Sequence, residues 1–415
     1  MEERIAHIYL SLEKEVYVGK LFFQNDRGKE VYSIELSEEF LKSKYSKFRI
    51  EPEIGNYQGR QYMSSDKAIF GFLSDACPDR WGRTLINRKE LEKAKSESRK
   101  PKKLTEFDYL VSVYDESRMG ALRFKLDVNG EYVSNDKNEA VPPWLYIRTL
   151  EAYAVEYDDS EKIDNNWIKN LLLPGSSLGG ARPKCSVYSN DGDLWIAKFP
   201  SKKDTYDVGA WEAVSYELAQ MCGLNVSEYK LEKFSKYGST FLTKRFDRVG
   251  KRRLHLMSFM TCLGAKDGES GEHSYIDIAS YLKTNSSSPN QDLKELWKRI
   301  VFNMAISNTD DHLRNHSLIM DERGIRLSPL YDINPSQLGD RLSLNITAYD
   351  NLISTDNLLK TYQYYNLTKE EAINLYNSIV KTVNDNWMNI AKKYKISNNS
   401  IELMKSAFTL KEYKC

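Results

Sequence analysis

The stretch RIVFNMAISNTDDHLRNHSLIMDERGIRLSPLYDINPS, from Arg299 to Ser336, decides how the rest of the chain is read. Its opening is apolar and predicts a buried helix. A polar loop follows, then a short hairpin beginning with the strand-like HSLIMD, then a second loop carrying an acidic residue. Asp310 and Asn315 stand five residues apart, and Asp332 follows seventeen residues later. That order matches the needs of phosphoryl transfer: one carboxylate to take a hydroxyl proton, then an amide oxygen and a second carboxylate for one metal ion.

The same stretch admits a rival. His312 and His316 are four apart and near Asp310, Asp311 and Asp332, so a hydrolytic metal centre is a formal alternative. Because HSLIMD reads as a strand, helical spacing does not apply to that pair. Asp311 reads as a turn or capping residue rather than a second base. Arg314 is open to two readings, neutralising phosphate or pairing with a neighbouring carboxylate.

The chain has 415 residues, room for two or three domains at ~150 residues each. Hydrophobic residues make up 41% and aromatics 12%, enough for a packed core. A formal net charge of +1 excludes a global electrostatic pull toward nucleic acid or anionic membrane. No apolar run approaches the ~18 residues of a membrane span, and MEERIAHIYL lacks a signal-peptide core. The five cysteines are scattered, without a C-x-x-C pair, so a reducing cytoplasm is expected and a disulfide framework is not.

From the start, IAHIYL, EVYVGKLFF and EVYSIEL alternate as strands, with DRG as a hairpin turn, and SEEFLKSKYS reads as a short helix capped by Ser37. PDRWGRTLINR is helical. The segment after it, Arg88 to Lys103, holds eight Lys/Arg against three Glu and reads as a solvated helix end and loop, or a docking patch for a phosphate-rich or protein partner. CSVYS and LWIAKF form a hairpin around NDGD, and WEAVSYELAQMCGL is a helix stopped at Gly223. Beyond about Gly250 long amphipathic segments dominate. A β-rich half followed by a helical half is the plan expected when a nucleotide sits in a cleft.

Lys198 shares a strand face with Leu194 and Ile196, where an amine needs a partner or an anionic ligand. Glu212 and Glu217, on the next helix, compete as partners; a snorkelling edge-strand lysine is the plain alternative. SSLGGARPK, Ser176 to Lys184, offers small residues whose amides approach phosphate closely, though it matches neither standard Gly-rich phosphate motif. Its two serines offer a phosphorylation site.

Taken together these segments resemble one family, the HipA-type serine/threonine kinases, toxins of bacterial toxin–antitoxin systems. The resemblance rests on YVGKLFF, PDRWGRTLINR, ESRMGALRF, SSLGGARPK and FLTKRFDR, and above all on NTDDHLRNHSLIM with LSPLYDINPS. It implies an α+β, two-lobed protein-kinase-like fold: residues 1–110 an extra N-terminal β unit, 111–249 the β-rich kinase lobe, 250–415 the helical lobe. It further implies ATP and Mg2+ as cofactors, with Asp310 as catalytic base and Asn315 and Asp332 on magnesium. Lys198 would contact the nucleotide phosphates. Gly179, Gly180, Ala181, Arg182 and Lys184 would cover them, His312 would stand beside the nucleotide, and Lys244 to Phe246 would line the adenine side. Ser177 (or its neighbour Ser176) would be autophosphorylated, expelling the loop. The implied partners are a protein substrate, in the best-known case a glutamyl-tRNA synthetase, and a HipB-like DNA-binding antitoxin on the N-terminal unit. DNA would be met only through the antitoxin. The alternatives are an inactive kinase-like scaffold that binds such an antitoxin, or a small-molecule kinase.

Overall fold

The computed structural model describes residues 3–48, 50–64, 66–135, 141–157 and 182–414. The chain divides into two compact units, Met1–Lys203 with Lys244–Met257, and Asp204–Thr243 with Ser258–Cys415.

The first unit opens with the expected meander: β1 (Arg4–Ser11), β2 (Glu15–Asp26) and β3 (Lys29–Leu36) pair antiparallel. Two further strands, β4 (Arg60–Tyr62) and β5 (Leu122–Lys125), complete a sheet of order β4-β3-β2-β1-β5. At the DRG turn Arg27 and Gly28 both take positive φ, 51° and 88°, the two-residue hairpin geometry that matches strand twist. Where β2 crosses β3, a Cβ on Gly19 would fall 2.0 Å from the Glu35 carbonyl oxygen, so only glycine passes. The helix Glu38–Lys42 starts where expected, with Ser37 Oγ accepting the Phe40 amide at 3.0 Å.

The helix Arg80–Ser96 buries Trp81, Leu85 and Ile86, and the basic run is helical for more than half its length. Arg99 then folds back onto Glu90 and Glu97, at 2.5 and 2.6 Å. Farther on, β6 (Lys184–Tyr188) and β7 (Leu194–Lys198) form the hairpin read around NDGD. The Trp81 indole donates to the Lys184 carbonyl at 2.9 Å, fastening helix to hairpin.

A dense arginine network closes this unit. Arg245 is buried and grips Asp247 at 2.8 and 2.6 Å, while Arg248 reaches the same carboxylate at 2.7 Å. Their remaining N–H groups donate to the carbonyls of Glu116, Ser117, Arg118 and Gly120, pinning that loop by its main chain. Burial alone would raise the Asp247 carboxyl; the two guanidiniums outweigh it and hold the group far below the usual range. His255 lies beside this loop, fully buried, with both ring nitrogens unpartnered among the described residues. Burial pushes its imidazole down to about 4. Unfolded histidine protonates near 6.5, so stability should be intact above that pH and fall as pH drops from 6.5 toward 4. Unfolding measured at pH 7 and pH 4.5 should show about 2.5 kcal/mol less acid loss in His255→Leu than in the parent.

The second unit is mainly helical: Val208–Met221, Tyr275–Asn285, Pro289–Ala305 and the 25-residue Lys369–Lys393. Its core packs Trp211 against Trp387 and Phe408, the last two stacked at 4.4 Å. Each such side chain contributes about 1.5–3 kcal/mol through area removed from water. Gly223 ends its helix at φ +68°, as the sequence predicted. Thr368 and Ser274 head their helices with capping boxes. Among the described residues no helix is long and apolar enough to cross a membrane.

Candidate active site

The site grows from the buried helix Pro289–Ala305, whose last turn carries Asn303 inward among apolar neighbours. A buried amide needs partners, and Asn303 has two: its Nδ2 donates to Asp311 Oδ2 at 2.7 Å, and its Oδ1 accepts from Asn308 at 3.1 Å. Asp311 Oδ2 also accepts from the Tyr275 hydroxyl at 2.5 Å and from His316 Nε2 at 2.8 Å. Burial works to raise the Asp311 carboxyl, but the His316 charge and these hydrogen bonds outweigh it and hold the group below the usual carboxylate range. Asp311 is therefore neither a turn cap nor a base. It is the post to which the loop is tied.

With Asp311 turned inward, its neighbour Asp310 reaches solvent and makes no side-chain hydrogen bond among the described residues. Partial burial raises its carboxyl; His312 opposes this, and the Asp332 and Asp311 carboxylates add to it. A base with a raised pKa accepts a proton more readily, the direction general-base work favours. Asn315 is buried and donates Nδ2 to the Asp310 carbonyl at 2.9 Å, which leaves Oδ1 as its accepting end.

The hairpin Ser317–Asp321 with Gly324–Leu327 then turns the chain back. The Tyr331 hydroxyl donates to the Arg314 carbonyl at 2.6 Å and lies 2.5 Å from Ser317 Oγ, joining the second loop to the first. Asp332 follows at φ +57°. Asp310 and Asp332 thereby line one pocket of about 200 Å³, together with Tyr206, Thr309, Asn334 and Ser336. Tyr206, Asn303, Tyr275 and Asn334 were missed by sequence reasoning; of these, only Asn303 left a signal, as a lone amide in an apolar helix.

The histidines take other places. His316 is spent on Asp311, and among the described residues no group of three or more His, Cys, Asp or Glu is arranged to hold a metal ion. With His316 committed to Asp311, His312 and His316 do not act as a joint ligand set. His312 stands next to Asp310, its Nδ1 buried without a partner among the described residues. Arg314 pairs with Asp267 at 3.4 Å.

In the first unit, Lys184 and Lys198 sit directly opposite each other on β6 and β7. Paired positions share a face, so the two lysines extend from the same side of the hairpin. Trp195, Ala197 and Phe199 bury the other face, as alternation predicted, although Leu194 is buried as well. Arg182 Nε donates to the Phe199 carbonyl at 3.1 Å. Lys244 is committed to Asp193 at 2.5 Å, and Phe246 is half-buried. Glu212 is buried in Val208–Met221 of the second unit. Ser176, Ser177, Gly179, Gly180 and Ala181 lie outside the described residues.

Comparison with known proteins bears on the family and the fold. The family model described as HipA-like C-terminal domain matches residues 176–387, just over half of the chain. The protein named "Putative kinase Y4dM" of Sinorhizobium fredii is 31% identical over 183 residues, 38% of this chain and 44% of that protein. "Serine/threonine-protein kinase toxin HipA" of Shewanella oneidensis is 22% identical over 187 residues, 39% of this chain and 43% of the toxin. The chain thus spans less than half the length of these two curated relatives. The solved structure of Shewanella oneidensis HipA with HipB and operator DNA superposes with a TM-score of 0.69 at 16% identity, covering 97% of this chain and 94% of that one. The α+β, protein-kinase-like fold is that of HipA, and the chain belongs to the HipA-like C-terminal domain family.

Proposed function

We propose that the protein is an ATP- and magnesium-dependent serine/threonine protein kinase, regulated by autophosphorylation at Ser177 and by a HipB-like antitoxin. The observation that supports it most is the convergence of Asp310 and Asp332 on one pocket, with Asn315 bonded to the Asp310 main chain. The donor set fits magnesium: one carboxylate and one amide oxygen, both hard ligands, with phosphate oxygens to complete the shell. Asp332 and Asn315 Oδ1 would hold the ion, which when bound draws charge off the phosphate oxygens.

The remaining work belongs to the chain. Asp310 orients the acceptor hydroxyl and takes its proton as the acceptor oxygen bonds to the γ-phosphorus. The bond from that phosphorus to the β-bridging oxygen breaks, and ADP leaves. As the family resemblance implies, Lys198, Lys184 and Arg182 would supply positive charge to the phosphates, and His312 would contact the nucleotide. The Asp311 post keeps Asp310 aimed without reorganisation during the reaction. The adenine side would meet the main chain from Lys244 to Phe246, because the Lys244 amine is already spent on Asp193.

The HipA structure of like fold contains HipB and operator DNA, which supports an antitoxin partner; its seat on the N-terminal sheet and a growth-arresting role are part of the same proposal. The protein target would be a translation enzyme of the glutamyl-tRNA synthetase kind. Asp332→Asn tests the metal assignment. Nucleotide affinity by calorimetry should fall about tenfold or more with magnesium present and stay unchanged in EDTA. Equal affinity in magnesium would take Asp332 out of the site.

A further inference from the structure

We propose that residues 406–413 form a strap that holds the loop of Asp310 and the loop of Asp332 in register, and that releasing the strap from the helix Lys369–Lys393 turns the site down. The catalytic part of this rests on the kinase reading above; the mechanical part does not.

One short piece of chain is tied to both loops. Ser307, three residues before Asp310, donates Oγ to the Ala407 carbonyl at 2.9 Å in the buried interior. Ser406, the neighbour of Ala407, donates Oγ to the Gln337 carbonyl at 2.9 Å, five residues past Asp332. Ser307 stands at φ +50°, a region that serine enters rarely, so its turn depends on what surrounds it.

The strap is fastened in turn along the helix. Phe408 is buried, ring on ring with Trp387 at 4.4 Å. Beyond it, residues 409–414 have no regular secondary structure. Asn384 donates to the Leu410 carbonyl at 2.9 Å, and the buried Tyr376 hydroxyl donates to the Lys411 carbonyl at 3.0 Å. Asn377 grips Tyr413 twice, accepting its amide at 2.7 Å and donating to its carbonyl at 3.1 Å. From Trp387 back to Asn377 the helix rises about 15 Å, and the chain from Phe408 to Tyr413 covers that only when nearly extended, at about 3.3 Å per residue. The strap is therefore drawn out along the helix, antiparallel to it. Asn377 and Asn384 make no other side-chain hydrogen bond among the described residues. The net worth of each such bond is small and ordering each residue costs about as much, so this latch opens more readily than the core beside it.

Hydrogen exchange on the full chain tests the mechanical part. With Asn377→Ala and Asn384→Ala combined, the amides of residues 409–413 should exchange about tenfold faster, and so should those of residues 307–310 and 336–339. Faster exchange confined to the strap, or none, overturns the proposal. With Mg-ATP, the same double variant should lose about tenfold in kcat for phosphoryl transfer at unchanged nucleotide KM. Ser406→Ala should do likewise with an unchanged urea midpoint, and Ser406→Thr, which keeps the hydroxyl, should restore the rate. Ser307→Gly suits the left-handed turn and removes the tie to Ala407, so it should also lower kcat about tenfold. Full rates in Ser406→Ala and Ser307→Gly, or a loss that Ser406→Thr does not repair, overturn the strap's part in catalysis. A wild type that transfers no phosphate fells the kinase reading instead, and the exchange result still decides whether the strap holds the loops.

Discussion

Asp310→Ala should lower phosphoryl transfer from labelled ATP by about 10²–10⁴-fold, the usual worth of a positioned general base. The protein should remain folded. Asp310 reaches solvent and ties nothing down, whereas the bond from Asn315 goes to its main-chain carbonyl, which alanine keeps. Intact-mass spectrometry supplies the second readout: added phosphate on the parent, mapped to Ser177 or Ser176, and none on the variant. Undiminished autophosphorylation of Asp310→Ala would remove the residue from the base role.

Asp247→Ala should be the most damaging substitution outside the site. It strands Arg245 and Arg248, both heavily buried, without their shared carboxylate. Removing one member of a buried ion network costs about 3–5 kcal/mol because the charge left behind has no water to turn to. The loop from Glu116 to Gly120 loses an amide acceptor too, since the Gly120 N–H donates to Asp247 at 2.8 Å. Urea unfolding should show a lowered midpoint, and hydrogen exchange should show lost protection in that loop. An unchanged midpoint would mean the guanidiniums are satisfied by the carbonyls alone.

Local pattern carried much of this fold and stopped where partners come from afar. The alternation of β1 to β3, the DRG turn, the Ser37 cap and the Gly223 stop are each decided within a few residues, and each appears as read. The strand β4 has three residues, too few to leave a period. The run after Arg88 is the helix end and loop that its composition suggested, but where the helix stops, at Ser96, and the hold of Glu90 and Glu97 on Arg99 beyond it were not readable. In the site, type and spacing singled out Asp310, Asn315 and Asp332, and the fold sets Asp310 and Asp332 on one pocket with Asn315 bonded to the Asp310 main chain. The role of Asp311 was not, because its three donors come from Tyr275, Asn303 and His316, and only folding shows which of two adjacent aspartates turns inward. The facing lysines 184 and 198 were invisible while each strand was read alone. Asn334 went unread because nothing near it in sequence shows its oxygen to be sealed.

Asp332 sits in the left-handed region, where a side chain is tolerated at a cost and glycine sits freely. Aspartate and asparagine enter that region more readily than other side chains, so the backbone narrows position 332 to Asp, Asn or Gly whatever its role. Of these three only aspartate carries a charge, so every substitution that this backbone accepts readily also removes the carboxylate.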